Sequence, residues 1–410
     1  MKIFFRRIHL YLGLAAGLII TISCLTGAML VFETDITQAL NHDRYFVTPA
    51  GNRLPLDTLA ARVQQVVPKA KIARIQVFAD PNRTVQVLFE EGKKKEGKEG
   101  KEGKGERAEK QEKAKGDKPG KEAPKKKEKG RTAFVNPYTG QVIELYSYQN
   151  TFYYKIFSLH RWLLSGDTGK VIIGSSTFIF LFILITGIIL WIPKTKNILQ
   201  QRLKIKWDGN WKRVNNDLHV VLGFYTSIFL FIIAFTGLTW SFQWFSNAFY
   251  APIGGTKQAT MPNSAPVVAD ANQVISFETA VTAVQKADPT AFFYTVAAPK
   301  DSAATFVVNA LPKNANIEVA TTTYYVDQHA GNIVSSQTFA ERQLNQQVKS
   351  LIKPIHTGAL YGTPTKILWL MIALMGAIFP TTGTLMWINR TRKKKKKAPA
   401  KTPLQESVTA

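Results

Sequence analysis

Four of the six histidines in this 410-residue chain, His9, His160, His219 and His356, stand at matched places in its two halves. Neutral imidazole is a common transition-metal ligand, and two imidazoles opposed at one depth supply the axial pair of a six-coordinate haem. If the halves pack about a twofold axis, His9 faces His219 and His160 faces His356. The four are therefore the candidate cofactor-binding residues, read as axial ligands to two haem irons, and two haem b groups are the expected cofactors. Zinc is the rival metal, but it wants more ligands than two histidines, and no clustered carboxylates stand nearby in the sequence. Interfacial anchoring is the plainer role for any one such histidine. Four at symmetry-related sites favour function, because ionisable groups at membrane depth are usually functional. His42 and His329 have no mates and are assigned to surface loops.

The matching goes beyond the histidines. His9-Leu-Tyr-Leu-Gly13 corresponds to His219-Val-Val-Leu-Gly223, and thirteen residues after each glycine come Thr26-Gly27 and Thr236-Gly237. His160 is followed by Gly166, Lys170, Thr186-Gly187 and Trp191, and His356 at the same intervals by Gly362, Lys366, Thr382-Gly383 and Trp387. At 1.5 Å per residue Thr26 lies about 26 Å from His9 along a helix. Gly27 and Gly237 therefore fall near the level of His160 and His356, and Gly187 and Gly383 near that of His9 and His219. Two roles stand open for each glycine: clearing room for a macrocycle at its level, and, with at least equal weight, permitting close helix contact. Lys170, Lys366 and Arg7 read first as residues snorkelling to headgroups, with neutralising propionates as the second role. Trp191, Trp240, Trp244 and Trp387 read as an interfacial belt.

Four apolar runs position these residues: Ile8–Phe32, Val171–Ile192, Leu218–Trp244 and Lys366–Ile388. Each reaches the ~20 residues that cross a ~30 Å hydrocarbon core. The first is too long for a signal-peptide core and is copied later, so it is read as a retained span. His160 and His356 precede helix-start signals at Gly166-Asp167-Thr168 and Gly362-Thr363-Pro364, which puts them on separate short segments outside their spans. Arg6 and Arg7, the basic link between spans two and three, and the Arg390–Lys397 tail share one side, so both termini are expected in the cytoplasm of a bacterial inner membrane. The formal charge of +25 sits largely in that tail and in residues 92–131, which fits contact with membrane lipid and gives no basic, aromatic-interleaved surface for nucleic acid. Cys24 is the only cysteine, which excludes intrachain disulfides and cysteine-ligated clusters.

The expected order is a span over 1–32, a periplasmic domain over 33–165, a span over 166–192, a basic loop over 193–217, a span over 218–245, a second periplasmic domain over 246–360, a span over 361–388 and a basic tail over 389–410. Each periplasmic segment reads as a small α+β domain. Helices are predicted over Leu56–Val67 and Phe277–Lys286. Each is followed by alternating strands and a hairpin turn closing on Gly140 or Gly331. Residues 92–131, nearly all Lys, Glu and Gly, cannot bury a core and are read as disordered.

With its His-x-x-x-Gly helix starts, its Thr-Gly helix middles, and outside segments ending Asn136-Pro-x-Thr-Gly140 and Asp327-Gln-His-Ala-Gly331, the chain resembles the PepSY-associated transmembrane family over nearly its whole length. The resemblance implies an α-helical membrane protein of four transmembrane helices in two tandem repeats, each with a small PepSY-like periplasmic α+β domain. Members of that family include haem-carrying reductases of ferric siderophores in iron uptake, and others of unsettled role. The expected function is thus a di-haem oxidoreductase, a ferric-chelate reductase that passes electrons to a periplasmic ferric siderophore and releases Fe(II). Electrons come from a quinol or a separate cytoplasmic reductase, because no dinucleotide or flavin motif is present. Two rivals stand beside this reading. One is a non-redox protein whose outer domains bind or regulate a periplasmic peptidase or envelope partner. The other is a transporter, which the lack of an acidic residue suited to ion coupling in the spans argues against.

Overall fold

The computed structural model describes residues 1–91, 130–255, 262–264 and 274–396. The first half runs α1 (Lys2–Leu30), α2 (Glu33–Leu40), α3 (Leu56–Val66), β1 (Ala70–Phe78), β2 (Val85–Glu91), β3 (Arg131–Val135), β4 (Val142–Tyr146), α4 (Phe152–Trp162) and α5 (Gly166–Trp191). The second half runs α6 (Trp211–Ser241), α7 (Phe277–Ala287), β5 (Phe293–Ala297), β6 (Phe306–Ala310), β7 (Thr322–Val326), β8 (Ile333–Gln337), α8 (Leu344–Thr357) and α9 (Thr363–Lys396). The segment read as disordered lies outside the described residues except for Gly130 and Arg131, and Arg131 already pairs with Glu91 across the β2–β3 ladder.

Helices α1, α5, α6 and α9 are long and apolar enough to cross a membrane. Their outward faces keep large apolar side chains uncovered, such as Leu18 and Ile228, which water would penalise and lipid does not. Inside the bundle, Ile20, Phe180, Leu230 and Leu238 form the core. Small residues let α1 and α9 approach closely: a Cβ on Gly17 would stand 3.0 Å from Pro380, and one on Gly376 would stand 2.9 Å from the Cys24 sulfur. Such contacts supply packing where no hydrophobic drive operates between helices.

All eight strands join one antiparallel sheet in the order β4-β3-β2-β1-β5-β6-β7-β8. The two small domains expected from the sequence are therefore fused: β1 pairs with β5 from Arg74↔Ala297 to Phe78↔Phe293. Helices α3 and α7 pack on the sheet through Leu59, Val63, Val281 and Val284, which meet inward residues such as Val87, Phe89, Val296 and Val308. Their N-termini also cap each other. The Asp57 carboxylate accepts from the Phe277 and Glu278 amides at 3.0 and 3.1 Å, and the Glu278 carboxylate accepts from the Leu56 amide at 2.9 Å. Each exchange satisfies amides that a helix start leaves without partners and places negative charge at the positive end of its dipole. Gly140 and Gly331 close their hairpins at φ +72°, where a side chain would be strained.

The short helices α4 and α8 connect this sheet to the bundle. Thr151 starts α4 by accepting from the Tyr154 amide at 3.0 Å. It ends at Leu163 and Leu164, two consecutive non-glycine residues with φ of 49° and 58°. Helix α8 ends instead on Gly358 at φ 74°. Left-handed non-glycine residues cost on the order of 1–3 kcal/mol each and persist where surrounding structure holds them. The turn they make returns the chain into α5 directly after the candidate ligand His160.

Candidate functional site

The structure brings the four matched histidines together as two pairs. His9 on α1 and His219 on α6 have ring centroids 6.2 Å apart at the end of the bundle away from the sheet. His160 on α4 and His356 on α8 have ring centroids 6.2 Å apart at the end beneath the sheet. Two imidazoles bonded at about 2 Å to one metal from opposite sides set their centroids roughly 6 Å apart, whereas tetrahedral ligation brings them about 1 Å closer. Among the described residues no group of three or more His, Cys, Asp or Glu is placed to hold a metal ion. Two opposed imidazoles at this spacing would suit a metal that brings its remaining ligands with it, as a macrocycle does.

One arrangement orients all four rings. The Nδ1 atoms of His9, His160, His219 and His356 lie 3.1, 3.1, 2.9 and 3.1 Å from the hydroxyl oxygens of Thr186, Thr26, Thr382 and Thr236. Each threonine spends its own hydroxyl proton on a carbonyl in the preceding turn of its helix, at 2.7 to 3.3 Å. Its oxygen is left as an acceptor, so the proton between threonine and histidine belongs to Nδ1. Three rings also meet a backbone carbonyl through Nδ1: His9 that of Ile183 at 3.1 Å, His160 that of Ser23 at 2.9 Å and His356 that of Ile233 at 2.9 Å. Nε2 is left as the lone-pair nitrogen of each ring, the tautomer a metal ligand needs. Burial pushes His160 below its ordinary value and His356 down to about 4, with a further lowering of His356 by its partner His160. Both are therefore neutral near pH 7.

The glycine of each Thr-Gly pair lies against an imidazole. A Cβ on Gly27, Gly187, Gly237 or Gly383 would stand 3.2, 3.3, 3.1 or 3.2 Å from the Cε1 of His160, His9, His356 or His219. These glycines clear room for the imidazoles themselves. Open space belongs instead to Gly13 and Gly223, one turn after His9 and His219, where an added Cβ meets nothing within 4 Å. Both line a cavity of about 780 Å³ that also contains His9, His219, Gly187 and Gly383, a volume within the range of small-molecule and cofactor pockets. Its walls include Trp191, Phe180, Phe379 and Trp387, and its rim carries Lys2, Arg6, Arg202, Lys212 and Arg390.

Several sequence assignments change with this geometry. Arg6, not Arg7, reaches the cavity. Lys366 is engaged with the Asp35 carboxylate at 2.7 Å. Trp191 and Trp387 line the cavity, with Trp191 stacked on Phe224 at 3.6 Å, and Trp240 sets its ring edge-on to His356 at 5.2 Å. These three touch the candidate site rather than serving only as a belt. His42 is exposed and stacks on Phe46 at 4.6 Å, while His329 is partly buried in the β7–β8 turn.

Other features carried no legible signal. His219 lies within a π-helical turn, Leu218–Leu222, where His9 lies in regular α-helix. The one-residue widening turns the preceding segment by about 100° relative to the span. There Asn215 donates to the Thr382 carbonyl at 3.1 Å and ties the start of α6 to the Thr-Gly step of α9. Phe379 packs edge-on to His219 at 5.7 Å, while the matched position in the first half is Ile183.

The sequence model describing a PepSY-associated TM region matches residues 6–390. The chain belongs to the PepSY-associated TM region family. No curated protein matches it in sequence. In this PepSY-associated protein, a multi-pass membrane bundle of four apolar helices carries His9 and His219, while His160 and His356 sit on the short helices α4 and α8 that join the bundle to a separate antiparallel sheet.

Proposed function

We propose that this protein carries single electrons across the bacterial inner membrane to a periplasmic Fe(III) chelate, a ferric siderophore above all. The observation that supports it is the pair of opposed histidines, 6.2 Å apart, at each end of one bundle. In this reading the chain is a tandem duplication with both termini in the cytoplasm and the sheet in the periplasm. His9 with His219 forms the cytoplasmic-side ligand set, and His160 with His356 the periplasmic one. Haem b bound at each set supplies a centre that takes up and gives up one electron. The two levels, about 26 Å apart along α1, divide a ~30 Å apolar barrier that is long for a single step.

The chain's own part is positional. Threonines 26, 186, 236 and 382 fix the tautomer that leaves Nε2 free, glycines 27, 187, 237 and 383 admit the rings, and the apolar walls keep water out. The basic rim at the cytoplasmic end suits carboxylates at the edge of a bound macrocycle. At the periplasmic end, each electron delivered converts one chelated Fe(III) to Fe(II), which hard oxygen donors hold less well, so the metal is released. The electron donor is a quinol or a separate cytoplasmic reductase.

The detergent-purified protein is expected to be red, with a dithionite-reduced minus oxidised spectrum of low-spin haem. A colourless protein, made with adequate haem supply, would end this reading and leave the non-redox alternative, in which the sheet binds a periplasmic partner. A finer test addresses orientation. Thr382→Val keeps shape but removes the acceptor for His219 Nδ1, and loss of such a supporting partner typically weakens metal affinity by about 10–100-fold. Haem should leave the cytoplasmic-side site correspondingly faster in a transfer assay to apomyoglobin, with the other site unchanged.

A further inference from the structure

Arg161 follows His160 on α4 and is partly buried. The ion pairs of the described residues join other side chains, and none supplies Arg161 with a carboxylate. It donates to the Trp240 carbonyl at 3.5 Å, a long bond, and its guanidinium lies 5.6 Å from the Trp162 ring. Trp240, whose carbonyl it meets, sets its ring edge-on to His356 at 5.2 Å. Of Lys170 and Lys366, the two cations expected at this end, Lys366 is engaged with Asp35. The second half offers no counterpart, because the residue after His356 is Thr357. Arg161 is thus a partly desolvated guanidinium, a planar fork of five donors, set on one side of the histidine pair beneath the sheet.

We infer that Arg161 is the anion-binding residue of this site, taking a carboxylate at the edge of the group held between His160 and His356. The inference rests on the haem reading above, in which that carboxylate is a propionate. Charge-assisted, bidentate contact with a carboxylate is what a guanidinium does best. Arg161, next to His160 on α4, would hold such a carboxylate on the α4 side of the pair.

The test compares wild type with Arg161→Met and Arg161→Lys in detergent, without chelate. It uses a redox titration and the rate of haem transfer to apomyoglobin. The transition that His356→Ala abolishes marks the site. In Arg161→Met that transition should move to a more negative potential, since both the lost cation and the uncompensated carboxylate favour the ferric state. Haem should also leave this site about ten- to hundred-fold faster, the worth of one charged hydrogen bond. Arg161→Lys should restore much of both. If wild type shows two transitions and Arg161→Met leaves both potentials and the transfer rate unchanged, the inference is overturned while the haem reading stands. The same null result accompanied by a raised KM for an anionic ferric chelate would overturn it in favour of a substrate-binding role. A colourless wild type would remove the haem reading and the inference together.

Discussion

His219→Ala is expected to yield a protein that still inserts and folds but carries about half the wild-type haem. His219 sits on the cavity side of a π-helical turn and holds Thr382 at 2.9 Å. In the di-haem reading, alanine would remove one of the two nitrogens that hold the iron and leave His9 facing a cavity open to water. Any haem retained there is five-coordinate and high-spin, with a visibly different spectrum. The pair beneath the sheet, about 26 Å away along α1, keeps its low-spin signature. Electron delivery from a cytoplasmic-side donor to an external ferric chelate should drop to the level of vesicles lacking the protein, because the first of two stages is gone. Pyridine haemochrome content per chain, the spectrum and Fe(II) capture in vesicles check the three parts. His42→Ala, at an exposed ring stacked on Phe46, should change none of them. Equal haem loss from both sites in His219→Ala would contradict the assignment of the pairs.

The second large effect belongs to Gly13 and Gly223. A Cβ added there meets no neighbouring atom within 4 Å and points toward open space, so Gly13→Leu with Gly223→Leu should not disturb the bundle. Replacing a helical glycine should even stabilise each helix by up to about 1 kcal/mol. The same two side chains project into the cavity beside His9 and His219. Overlap of a bound group with such a side chain costs about 1–3 kcal/mol apiece, which lowers occupancy of that site by roughly 10–100-fold per substitution. Stability and occupancy are thus predicted to move in opposite directions, a signature that general misfolding cannot imitate. Thermal melts in detergent and haem content measure the two. Unchanged haem content in the double variant would show that the cavity does not hold the macrocycle.

Much of this could be read along the chain. Apolar length alone marks a span, because the barrier it crosses has one dimension. The matched intervals from His9 to Gly13 and Thr26, and from His160 to Thr186, place residues at a depth, since each residue adds a fixed rise along a helix. That is why the grouping of His9 with His219 and of His160 with His356 was legible. The hairpin glycines were legible for a similarly local reason: φ +72° at Gly140 and Gly331 is a demand made by a few adjacent residues.

The sequence alone therefore determined depth: which residues share a level, and which segments cross. Direction and partnership were decided by the tertiary structure. Whether Gly27 faces a macrocycle or the ring of His160 depends on the rotation of α1 against α4, a matter of ångströms that residue spacing does not encode. The π-helical turn at His219 changes that rotation without any sequence mark. The pairing of β1 with β5 and the exchange of caps between Asp57 and Glu278 join segments more than two hundred residues apart in the chain, and no local propensity favours that match over another. The same holds for Arg161, an ordinary basic residue in the sequence, whose place beside Trp240 and lack of a carboxylate among the described residues emerge only when α4 docks against the bundle.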